Sequence, residues 1–184
     1  MSLITTPTSE MGLAAADFRL PGTDGKQYSR DAVRGPHGLL LMFICNHCPY
    51  VRAIRKRLVT DCRDVLAAGI GVAAINSNDA GAYPEDSFAR MVDTARDWDL
   101  SFPYLHDASQ QVARAYGAVC TPDFFGYDSE LKLRYRGRLD AAHMGEREPS
   151  MSRELVAAMQ EIARSGRTGI TQVPSMGCSI KWKD

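Results

Sequence analysis

Residues 45–48, Cys-Asn-His-Cys, bring two thiols and an imidazole into four positions, and Pro49 follows them. Thiols at this spacing can exchange disulfides, pass through a sulfenic acid or ligate a soft cation. The first two reactions need a thiol that ionises easily. The preceding residues 39–44 form a short apolar run of a length that suits a strand buried on both faces. After Pro49 the period changes: Val51, Ile54, Leu58, Cys62, Val65 and Leu66 recur at helical spacing, with Arg52, Arg55, Lys56 and Arg57 mostly between them. Proline is favoured at the first helical position, which makes Cys48 the N-cap, level with the unpaired amides. The helix dipole favours a negative charge there by about 0.3–1 kcal/mol, so Cys48 is expected to be the acidic, nucleophilic thiol and Cys45 its partner or neighbour. A protonated His47 would add to that effect.

The rest of the chain reads as the scaffold of this junction. Residues 17–28 predict a hairpin around a Gly-rich turn, residues 29–34 one helical turn, and residues 35–38 a break before the central strand. Gly69 ends the long helix, and residues 70–76 predict a second buried strand, hence a parallel βαβ unit with a right-handed crossover. A loop over 77–84 leads to a helix over 85–98 with Phe88, Met91, Val92 and Ala95 on one side. A strand over 101–105 follows, then a helix capped by Asp107 or Ser109 that runs to Tyr116 and closes at Gly117. Pro122 opens an aromatic strand, and a cis Thr121–Pro122 bond would present its backbone turn to the reactive site. Residues 131–139 return antiparallel at the sheet edge. A final helix, capped by Ser150 or Ser152, carries Leu155, Val156, Met159 and Ile162 and stops at Gly166. The tail has no period; Trp182 is expected to anchor it on the body and to carry Cys178 along. The boundaries are a loose lead-in over 1–16, a body over 17–166 and a docked tail over 167–184. Cys62 and Met91 read as core, and His37, His106 and His143 as loop or structural residues.

Composition narrows the function. The 184 residues suit one domain that needs no disulfide staples. Lys plus Arg equals Asp plus Glu at 22 each, so no net field is available for nucleic acid or an anionic membrane. An odd count of five cysteines and a start without a signal-peptide pattern predict a reducing, cytoplasmic setting. The expected partners are a disulfide-bearing protein or small molecule and a cellular thiol reductant, with no cofactor and no metal. Nothing in the sequence addresses the oligomeric state. Two other chemistries fit the same thiols: peroxide reduction through a sulfenic acid at Cys48, and a cation held by Cys45 and Cys48 with Cys120 or His47. A partner-binding protein without turnover is the remaining alternative.

The order of elements, together with residues 45–51 (Cys-Asn-His-Cys-Pro-Tyr-Val), 115–125 and 174–182, resembles the thioredoxin-like superfamily in its redoxin and peroxiredoxin-like, AhpC/TSA-like branch, a group that includes thiol-disulfide isomerases. The resemblance implies an α/β fold with a central mixed sheet flanked by helices. Residues 43–48 are similar to the family run that ends in the nucleophilic cysteine, which places Cys48 on it. Val51 stands where thioredoxins carry the second cysteine, and Cys45 lies on the opposite side of the nucleophile. Pro122 resembles the family's cis-proline, which packs beside the active cysteine and would bring Thr121 and Cys120 close. The tail motif makes Cys178 a further candidate for the site. Peroxiredoxins resemble a P-x-x-x-T-x-x-C pattern with an added arginine; here Leu41, Cys45 and Pro122 replace those three residues, so the resemblance does not imply efficient peroxide reduction.

Overall fold

The computed structural model describes residues 3–7 and 9–183; Met1, Ser2, Thr8 and Asp184, which the expected lead-in and tail include, lie outside them. In chain order the elements are β1 (Leu3–Thr5), β2 (Arg19–Pro21), β3 (Gln27–Ser29), α1 (Arg30–Val33), β4 (Leu39–Phe43), α2 (Pro49–Ala67) and β5 (Gly71–Asn76). A 3-10 turn (Pro84–Asp86) precedes α3 (Phe88–Asp97), β6 (Tyr104–His106), α4 (Gln111–Tyr116), β7 (Cys120–Thr121), β8 (Asp123–Tyr127), β9 (Leu133–Gly137), α5 (Glu154–Ser165) and β10 (Met176–Ser179).

The central sheet has the order β6-β5-β4-β8-β9. β4 runs parallel to β5 and antiparallel to β8, so the sheet is mixed. Every residue of β4 is buried, because strand alternation sends its side chains into two cores. Leu40 and Met42 meet the apolar stripes of α2 and α5 on one face. Leu39, Leu41 and Phe43 meet the β2–β3 hairpin and α4 on the other. Both faces of the sheet are therefore covered, and the loop carrying Cys45 and Cys48 emerges at the C-terminal end of β4.

A second sheet, β1-β10-β7, joins the two ends of the chain to the segment before Pro122. The residues before the hairpin are not loose. Gly12 and Ala15 bond to the backbone at Leu133 and Leu131, and Ala15 is buried. The tail is anchored differently from expectation. Cys178 and Ile180 are buried, whereas Trp182 is 36% exposed, its ring lying under the Arg114 guanidinium. Cys178 lies within β10 and joins one core, while Ile180, just past the strand's end, joins the other, and Trp182 falls beyond both.

Three local boundaries also differ. The helix expected from residue 85 begins at Phe88, since Glu85 and Asp86 belong to the 3-10 turn and Ser87 is extended. Gln110, in the left-handed region with φ 62°, caps α4, while Asp107 and Ser109 accept from the amides of Ala113 and Gln111. Arg153 rather than Ser150 or Ser152 precedes α5, its guanidinium drawn to the carboxylates of Asp61 and Asp64 on α2.

Candidate active site

β4 is hydrogen-bonded on both sides up to Phe43, and Pro49 occupies the first turn of α2, so the chain must change from strand to helix at Cys48, the N-cap. The Cys48 side chain is fully buried. As a thiol it donates to the Thr121 carbonyl at 3.2 Å. Its pKa is nevertheless drawn down to about 5, chiefly by a hydrogen bond from the Cys45 thiol; burial opposes this, and the Val51 amide, Cys178 and Thr121 assist. The Val51 amide exerts its pull without closing a full side-chain cap. It is the first-turn amide field that any anion would meet at a helix start.

Cys45 is buried, with its sulfur 3.4 Å from Thr121 Oγ1. Its own pKa is pushed well up, first by the hydrogen bond to Cys48, then by burial and by the Asp86 carboxylate. The two shifts run in opposite senses, so ionisation is favoured at Cys48 over Cys45. On the other side, β10 places Cys178 in register with Thr121. Cys178 is buried as well, its thiol pushed up to about 12 by burial first and by Cys48 second, with Lys181 acting in the opposite sense. Three thiols thus gather around one residue, Thr121. The bond from Thr121 to Pro122 is cis, and the Ser175 hydroxyl donates to the Pro122 carbonyl at 2.7 Å.

Cys120 lies near these thiols, within electrostatic reach of Cys48 and Cys178, but is bonded elsewhere. Strand alternation turns it away from the Thr121 side, its sulfur meets the Pro122 carbonyl at 3.7 Å, and burial drives its pKa upward. Cys62 lies in the core against Met42. Nor does His47 point at Cys48 as a supporting cation. Its Nδ1 is 2.7 Å from Asp86 Oδ2, its ring stacks on Tyr83, and its Nε2 is buried without a hydrogen-bond partner.

The residue that sequence reasoning missed is Asp86. It is fully buried and accepts from the Asn46 amide at 2.8 Å, from Asn78 Nδ2 at 2.7 Å and from His47. Asn46 is held further by the Tyr104 hydroxyl and by the Glu85 carbonyl. The 45–48 loop is therefore clamped by a 3-10 turn about 40 residues away in sequence, and no local pattern announces such a partner. Cys45, His47 and Asp86 also bring one donor atom each within 4.8 Å of one another, a set of thiol, imidazole and carboxylate that suits a borderline cation. A shallow cleft opens beside Pro122, bordered by Tyr50, Ile54, Phe124, Ser175 and Met176. None of the thiols lines it.

The chain is similar to several known proteins. A solved structure of an uncharacterized conserved protein from Geobacillus kaustophilus is 40% identical, covers 100% of this chain and 97% of its own, and superposes with a TM-score of 0.93. A hypothetical protein from Sinorhizobium meliloti is 42% identical over 97% of this chain and 98% of its own, with a TM-score of 0.91. The thioredoxin domain of a thiol-disulfide oxidoreductase from Bacteroides vulgatus shares the fold at 14% identity, covering 70% of this chain and 89% of its own with a TM-score of 0.59. No curated protein matches the chain. Residues 11–136 match the AhpC/TSA family model, and with the thioredoxin-like architecture around its cysteine-bearing helix start the chain belongs to the AhpC/TSA family.

Proposed function

We propose that the protein is a thiol:disulfide oxidoreductase whose nucleophile is Cys48. One observation carries this reading: a buried thiol at the start of a 19-residue helix, lowered to about 5 by a neighbouring thiol and a first-turn amide. An ordinary structural cysteine in an apolar setting has its pKa raised, as Cys62 does. The Cys48 thiolate attacks one sulfur of a substrate disulfide, the S–S bond breaks, a mixed disulfide with Cys48 forms and the other substrate sulfur leaves as thiolate. A second thiol then completes the reduction, and a cellular thiol reductant restores the protein. The family and its thioredoxin-fold neighbours support a redox role of this kind; substrates would be protein or small-molecule disulfides. The test is reduction of a disulfide substrate by the wild type and by Cys48→Ser. Activity should vanish in the variant, and full activity there would overturn the assignment.

A second reading rests on the donors of Cys45, His47 and Asp86. These residues, with Cys48 beside them, would hold a zinc-like cation in a binding module without turnover. Metal analysis after purification without chelator separates the two readings. A stoichiometric metal that is lost in His47→Ala would favour the module, and metal-free protein with disulfide reductase activity would remove it.

A further inference from the structure

Cys48 has two thiol neighbours, and only one of them needs to finish the reaction. Resting on the oxidoreductase reading above, we propose that the resolving thiol is Cys178, delivered by β10, rather than Cys45, which the loop before α2 holds against the Thr121 hydroxyl.

The geometry separates the two thiols. β10 lies antiparallel to β7 with Cys178 opposite Thr121, and the Cys48 sulfur contacts the carbonyl of that same Thr121 at 3.2 Å. The approach is close because Gly177 packs directly over the Thr121 carbonyl, where any side chain would collide with backbone. Cys178 therefore reaches Cys48 from a strand separate from α2. Cys45 sits in the loop before α2, held to the Thr121 hydroxyl, and its backbone is continuous with the clamp at Asp86.

The chain after β10 is fixed on the body. The Lys181 ammonium is 3.2 Å from the Ser179 hydroxyl, and the Lys181 backbone is held by Asn78, Asp79 and Gln110. Cys178 is thus held in place opposite Thr121.

In the resolving step Cys178 loses its proton to solvent or to the departing thiolate, and its sulfur attacks Cys48 Sγ. The bond between Cys48 and the substrate sulfur breaks, a Cys48–Cys178 disulfide forms, and the second half of the substrate leaves. The substrate disulfide has gained two electrons and the protein dithiol has lost them. An added dithiol such as dithiothreitol reverses the oxidation for the next cycle.

The chromogenic disulfide 5,5′-dithiobis(2-nitrobenzoate) tests this under native conditions. The wild type should release a first and then a second thionitrobenzoate, leaving a Cys48–Cys178 disulfide in the nonreducing peptide map. Cys178→Ser should release only the first and retain the aryl adduct on Cys48. Cys45→Ser should still release both. If Cys45→Ser stops after the first release, if Cys178→Ser releases both, or if the map shows Cys45–Cys48, the proposal is overturned. Cys48→Ser distinguishes the underlying reading: release unchanged in that variant would overturn the nucleophile assignment itself.

Discussion

Cys45 and Cys48 shift one another's pKa in opposite directions, and ionisation is favoured at Cys48, the N-cap of α2. The alkylation rate of Cys48 by iodoacetamide should rise through a midpoint near pH 5 and level off above it, since the thiolate is the reacting form. Cys45→Ala removes the largest cause of that low value, so the midpoint should move upward toward the ordinary thiol value near 9. Asp86 acts on the same loop through three donors. Asp86→Ala leaves the Asn46 amide, the Asn78 amide group and the His47 ring without their acceptor, and should cost about 2–4 kcal/mol in denaturant unfolding. These two residues mark what the sequence could and could not reveal about the site. The N-cap position of Cys48 follows from a proline one position later and a helical period, both visible locally, whereas the largest cause of its acidity is the hydrogen bond from Cys45. The importance of Asp86 follows from contacts with residues some 40 positions earlier, which nothing in its own neighbourhood encodes.

Among the elements, those with a strong internal period were legible. β4, α2, β5 and the β2–β3 hairpin lie where apolar runs, helical spacing and glycine turns put them. β10 was not legible as a strand, because Met176–Ser179 has no pattern of its own and becomes a strand only between β1 and β7. Its register depends on Gly177, whose replacement by alanine would drive a methyl group into the Thr121 carbonyl. Gly177→Ala should therefore displace β10, speed alkylation of Cys48 and slow the release of the second thionitrobenzoate. β7 and β8 meet the same limit: they belong to two different sheets although one proline separates them. β8 and β9 are locked by a buried pair, Arg136 to Asp123 at 2.8 Å, with Arg136 also donating to the Gly117 carbonyl and lying over the Phe125 ring. Arg136→Met would strand the Asp123 carboxylate in the interior and should cost about 3–5 kcal/mol, read as a lower urea midpoint.

For the molecule as a whole, the ionisation of Cys48 couples the site to folding. Its native pKa lies below the unfolded value, so the thiolate contributes stability fully above about pH 9, less as the pH falls, and nothing below about pH 5. The difference in melting temperature between the wild type and Cys48→Ser should change with pH in that sense, with the wild type gaining relative to the variant as the pH rises. Among the described residues no helix is long and apolar enough to cross a membrane, and the balanced charge offers no steering field to a charged partner. Access is limited, since Cys48 shows no exposed surface. A reagent can meet its sulfur only during excursions that uncover it, so reactivity is a product of two factors, how often the site opens and how fast the thiolate reacts once open. At low concentrations of a disulfide the observed rate should rise in proportion to concentration, and at high concentrations it should level off at the opening rate, the same plateau for every disulfide small enough to enter.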